Sequence, residues 1–176
     1  RSNFLPIAFS VAESKAKSIC TLMVNEAVLR QISSNKADYT ELFSIQKNSG
    51  GEISAIVANT VKMNLLKSRL SIDIQNKIEK TQTQPIGIPL GSLFGNELIA
   101  GRGPKIPMKI VTVGAIDINF INSFTSAGIN QTKHEASIAI KMTVNALMPA
   151  GSTAATIETS MPLTHTVIVG KIPEGY

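Results

Sequence analysis

Tryptophan is missing from this chain, tyrosine occurs twice and phenylalanine six times among 176 residues, so the core must be built from Ile, Val, Leu, Met and Ala. The same scarcity removes the aromatic platforms on which sugars and single-stranded nucleic acids stack. One cysteine, Cys20, excludes an internal disulfide and any zinc site made of thiolates. It stands among Ser18, Ile19 and Leu22 in a helical pattern, where a small buried apolar residue is expected rather than a reactive thiol. Charge is sparse as well. Charged residues are 16% of the chain, against about 25% in typical soluble domains, while Ser, Thr, Asn and Gln abound. The net charge of +5 comes from basic residues scattered singly, and without a clustered basic stripe no nucleic-acid partner is expected. No apolar run approaches the ~20 residues that span a bilayer. The chain opens on Arg1 and reads as a piece of a longer gene product, so a missing anchor here says nothing of one there.

What is present is strong periodicity. Pro6 suits the first turn of a helix, and Ala8, Ala12, Ala16, Ile19, Met23 and Ala27 recur on one face of a helix reaching about Ile32, with Ser33-Ser34-Asn35-Lys36 ending it. Leu42–Gln46 and Ile53–Asn59 read as two strands joined by the Asn48-Ser49-Gly50-Gly51 turn. Thr60 is placed to cap a second helix to about Lys80, with Leu66, Leu70, Ile74 and Ile78 every fourth residue and Val61, Leu65 and Ile72 widening the stripe. From Thr81 to Pro107 the chain is punctuated by Pro85, Gly87, Pro89, Gly91, Gly95, Gly101, Gly103 and Pro104 and reads as largely irregular.

Strands follow: Ile106–Val113, then one after Gly114 carrying Ile116, Ile118, Phe120 and Phe124. The next holds period two with little error, Ile138, Ile140, Met142, Val144, Ala146 and Met148 alternating with Ser137, Ala139, Lys141, Thr143, Asn145 and Leu147. The last begins after Pro149-Ala150-Gly151 with Ala155, Ile157, Thr159, Met161 and Leu163 on one face, and Val167-Ile168-Val169 closes the sheet or adds a short strand. The whole chain, 1–176, reads as one α+β domain. It has a long N-terminal helix, a β-hairpin, a second helix and then an antiparallel β-meander, with the helices packed on one face of a twisted sheet.

Motifs for chemistry are weak. Gly101-Arg102-Gly103-Pro104-Lys105 lacks the spacing, the Lys-Ser/Thr and the following helix of a phosphate loop. His134 and His165, with Glu135 and Glu158, lack metal-ligand spacing, and both histidines read as surface residues at strand starts. No catalytic residue, metal or cofactor is expected. Asn130-Gln131-Thr132 matches the glycosylation acceptor pattern but reads as a turn, with Asn130 in the left-handed region.

Five phrases occur together: Gly51-Glu52-Ile53 leading to Asn59-Thr60 and Met63-Asn64; Ile88-Pro89-Leu90-Gly91; Gly101-Arg102-Gly103-Pro104-Lys105-Ile106; Ala127-Gly128-Ile129-Asn130-Gln131-Thr132-Lys133-His134; and Thr166-Val167-Ile168-Val169-Gly170-Lys171-Ile172-Pro173. In this order and spacing the chain resembles the sporulation protein YunB family (Spo_YunB) of endospore-forming Firmicutes over nearly all its length. The resemblance implies a protein made in the mother cell, anchored in the outer forespore membrane by an N-terminal segment absent here. Its domain would face the space between the two forespore membranes. It implies no reaction and supplies no catalytic residue.

The function expected is therefore a non-enzymatic, membrane-anchored assembly or interaction domain required for spore-envelope formation. Its partners would be other sporulation or spore-envelope proteins, or further copies of itself. The alternative is a lipid or apolar-ligand domain with an elongated groove between sheet and helix; a peptidoglycan enzyme would require His134, Glu135 and Glu158 to converge in a cleft. The candidate interaction surface is Arg102, Lys105, Asn130, Gln131, Thr132 and His134, on the expectation that their three loops come together.

Overall fold

The computed structural model describes residues 4–35, 42–51, 53–84, 86–94 and 97–169. Lys36, Glu52, Pro85, Gly95 and the terminal Gly170-Lys171-Ile172-Pro173, all named above, lie outside them. Helix α1 spans Phe4–Asn35, the hairpin strands β1 and β2 span Phe43–Lys47 and Ile53–Ala58, and helix α2 spans Thr60–Thr83. Strand β3, Ile86–Pro89, precedes a 3-10 turn at Leu90–Leu93, and then come β4 (Lys105–Gly128), β5 (Gln131–Met148) and β6 (Gly151–Val169). Two antiparallel sheets result, β1-β2 and β3-β4-β5-β6. The class is α+β, as the grouping of early helices and late strands predicts.

Three boundaries differ from the sequence reading. Gly114 does not separate two strands: β4 runs on through it, because a glycine at φ 72° absorbs the irregularity without ending the ladder. The segment read as irregular contains β3, whose Ile86, Gly87, Ile88 and Pro89 pair with Met108, Pro107, Ile106 and Lys105. Of the two readings of Val167–Val169, the one in which they close the sheet holds: they are the end of β6. The cap of α2 is Asn59, not Thr60: Lys62 N donates to Asn59 Oδ1 at 3.2 Å, while Thr60 is already helical. Asn59 also donates its own N–H to Leu42 O at 2.8 Å, which ties the helix start to the residue before β1. Asn59→Ala is expected to cost about 1 kcal/mol in urea unfolding, and Thr60→Ala less than about 0.5.

The chain falls into two compact units. The first takes the residues up to Ala27, Ser71–Asp117 and Ile140–Thr159; the second takes Val28–Leu70, Ile118–Ala139 and the chain from Ser160 onward. In the first, α1 buries Ala12, Ala16, Cys20, Val24 and Ala27, nearly all at every fourth position. The stripe thus passes through Cys20 and Val24, with Ile19 and Met23 half-buried beside it. Small side chains let the helix lie close to its neighbours: Lys15 Nζ donates to Gly87 O at 2.7 Å and Thr159 Oγ1 to Asn25 Oδ1 at 3.3 Å, touching β3 and β6. Helix α2 supplies Ile74 and Ile78, and its Gln82 Nε2 donates to Ile110 O of β4 at 3.4 Å. Under them the sheet presents Met108, Ile110, Ile140, Met142, Val144, Ala146, Ala155 and Ile157, all buried. Cys20 is fully buried and burial alone pushes its thiol up to about 11, so it is a packing residue.

The second unit is built from Val28, the hairpin with Leu42 and Phe43, the early α2 residues Met63, Leu66 and Leu70, and Ile118, Ala136 and Ile138 of the sheet. Lys67 Nζ stands 5.7 Å from the centre of the Phe120 ring, a cation–π contact between α2 and β4.

Candidate functional site

The six sequence candidates divide between the units. Arg102 and Lys105 belong to the first, and Asn130, Gln131, Thr132 and His134 to the second.

In the first unit, the 3-10 turn after β3 and the glycine-rich return to β4 close on each other through backbone groups. Leu90 N donates to Pro104 O at 3.0 Å, Gly91 N to Arg102 O at 2.8 Å and Arg102 N to Ile99 O at 3.0 Å, while Gly101 N donates to Ser92 Oγ at 3.2 Å. Gly101 and Gly103 take φ 77° and 95°, which only glycine adopts cheaply. Ile-Pro-Leu-Gly and Gly-Arg-Gly-Pro-Lys are thus two halves of one clasp. These amides are spent on the loop's own acceptors, so it is not a phosphate cradle. Arg102 and Lys105 project from it, both exposed.

In the second unit, Gly128 and Asn130 bracket the turn between β4 and β5 with φ 138° and 55°. Asn130 occupies the left-handed region its short amide tolerates. Ile129, at the tip, is 87% exposed, and Asn130, Gln131 and Thr132 beside it are exposed too. Lys133 and Glu135 pair at 3.2 Å on the outer face of β5.

His134 is not the surface residue its sequence neighbours suggest. It is 0% exposed, the one buried polar residue among the described side chains. Its Nε2 lies within hydrogen-bond distance, 3.2 Å, of Asn122 Oδ1. The ring stacks on Phe124 (centroids 4.7 Å apart, planes at 27°) and meets Phe43 edge-on at 5.3 Å. Burial holds its pKa below the ordinary value of 6.5, so the imidazole is neutral near neutral pH. Its partners Asn122, Phe124 and Phe43 carry no mark of that role in the sequence. The buried side of β5 was there to be read, because His134 and Ala136 continue the even positions backward from Ile138. The partners had no such signal, since Phe43 lies on a separate hairpin.

His134 and Glu135 project from opposite faces of β5, and Glu158, in the first unit, pairs with Lys141 at 3.3 Å. Among the described residues no group of three or more His, Cys, Asp and Glu could hold a metal ion. An open concavity of about 560 Å³ lies over Lys17, Ser18, Ile19, Thr21, Leu22 and Asn25 of α1. Beneath α1 the sheet positions Ile140, Met142 and Val144 are filled and at most 2% exposed. No helix among the described residues is long and apolar enough to cross a membrane.

Comparison with known proteins places the geometry in context. Residues 85–175 match the family described as Sporulation protein YunB (Spo_YunB), a stretch holding the clasp, the Ile129 turn and all of β4 and β5. The chain is similar to the protein named Sporulation protein YunB of Bacillus subtilis (strain 168), 23% identical over 181 residues that cover 97% of this chain and 71% of that protein. No solved structure matches.

Proposed function

The chain belongs to the sporulation protein YunB family, and from that premise we propose that it serves as a non-enzymatic assembly domain of the spore envelope, offering its Ile129–Thr132 tip to a protein partner. A role in sporulation comes with the family; the mode of action is read from the site. The observation that carries it is the use made of His134. The residue of this motif best suited to acid–base chemistry is enclosed between two phenylalanines and tied to Asn122. It braces the base of a turn whose tip presents one exposed isoleucine ringed by polar groups. An apolar knob on a rigid base with a polar rim is the arrangement of a docking contact. The resemblance motivates the further reading that the domain works at the outer forespore membrane, tethered by a preceding segment and facing the intermembrane space.

A photo-crosslinking residue placed at Gln131 of the full-length protein in sporulating cells tests this. Capture of a spore-envelope protein, lost on Ile129→Asp, is expected. Capture that is indifferent to Ile129→Asp overturns the tip as the contact. Membrane fractionation of the same cells tests the tether.

A further inference from the structure

The first unit protects one edge of its sheet, while among the described residues the other has no neighbouring strand. On the β3 side, the edge strand is four residues long, Lys15 Nζ occupies the Gly87 carbonyl, and past β3 the Gln82 amide bonds Ile110 O. Lys109 and the positive-φ Gly114 further blunt that side of β4. These are the usual devices by which proteins prevent edge-to-edge pairing. On the other side, Gly151–Thr159 of β6 has none of them: no lysine, no proline and no positive-φ residue after Gly151. Among the described residues no strand pairs with its free edge. Its one charge, Glu158, is matched by Lys141 within the same sheet at 3.3 Å.

We propose that β6 pairs antiparallel with β6 of a second copy of this chain, about a two-fold axis at Thr156. The strand is complementary to itself in that register. Thr156 meets Thr156 of the second copy, a favourable cross-strand pair, and Thr153 meets Thr159. On the buried face Ala155 meets Ile157, small against large. Glu158 meets Ala154, which keeps the two carboxylates from facing each other. The Thr143–Thr156 hydroxyl contact at 3.4 Å and the Lys141–Glu158 pair fit one β5–β6 register, with Met148 opposite Gly151, so the outward position of Thr156 is fixed by its own hairpin. Near the strand, α1 contributes Asn25, bonded to Thr159, and Leu22, which is 60% exposed. Because the pairing is isologous about a two-fold axis, it occupies this edge on both copies and closes as a dimer.

This rests on the assembly reading but is tested apart from it. Sedimentation of the chain over a concentration series is expected to show a monomer–dimer equilibrium. Thr156→Lys, which sets two like charges face to face on the axis, is expected to weaken it by about tenfold or more. Thr156→Cys is expected to form a disulfide-linked dimer under mild oxidation, while Thr143→Cys, one strand further in, does not; buried Cys20 stays silent in both. A monomer at every concentration, a dimer that survives Thr156→Lys, or equal crosslinking at 143 and 156 overturns the proposal. Any of these together with capture of an envelope protein from Gln131 overturns edge pairing and leaves the assembly reading standing.

Discussion

Gly91→Ala is expected to destabilise the protein by about 3 kcal/mol or more, the upper end of what overpacking costs. A methyl group at this position would stand 1.9 Å from Ile99 O and 2.5 Å from Arg102 O. Both neighbours are backbone, held by the Arg102 N to Ile99 O and Gly91 N to Arg102 O bonds, so neither can swing aside as a side chain would. Relief requires opening the clasp and freeing the amides it satisfies. For a chain of this length, thermal unfolding followed by circular dichroism should fall by about 6–12 °C. Gly50→Ala is the control. Gly50 has no positive φ and the new methyl would meet only Asn48 Oδ1 at 3.4 Å, an ordinary contact, so a shift within about 2 °C is expected. Equal shifts for the two variants would mean that the clasp is loose.

The second large effect is at His134. Truncation to alanine removes a ring packed on Phe124 and Phe43 and empties a fully buried position, which is expected to cost about 3 kcal/mol. Phenylalanine retains most of the volume and the ring packing while giving up the Asn122 bond, so His134→Phe should recover most of that loss. The two variants also separate packing from titration. The folded pKa of His134 lies below 6.5 because burial penalises the imidazolium, so below that pH the unfolded chain binds the extra proton more readily than the folded one. Stability is then fully present above about pH 6.5 and declines as the pH falls from there toward the folded pKa, below which the difference is constant. Urea unfolding across pH 7.5 to 5 should show this decline in the parent chain and a smaller one in His134→Phe. An identical pH dependence in the two would show that His134 is not the group responsible.

The contrast between β5 and its partners shows what was legible in the sequence. Strict alternation from Ser137 to Met148 placed every buried residue of that stretch correctly, since period two is imposed by the strand backbone itself. Helix α2 was equally readable, with Leu66, Leu70, Ile74 and Ile78 all buried. Val61, Leu65 and Ile72, read as widening that stripe, are instead exposed. Their spacing says that they share a face but not whether anything covers it. Asn59 and Thr60 are neighbours with the same capping chemistry, and only the φ/ψ of the folded chain decides which of them is already helical.

The candidate site divides along the same line. The sequence by itself determined the family phrases, the turn at Ile129–Asn130 with its left-handed asparagine, the strand that follows, and the poverty in aromatic and charged groups. Each of these depends on near neighbours in the chain or on composition. Only the tertiary structure decided that His134 is enclosed, that the two glycine-bearing phrases clasp each other, and that, among the described residues, β6 is the last strand of the sheet. Those facts depend on which distant residues arrive beside a given one. Phe43 reaches His134 from 91 positions away, and no local period carries that information.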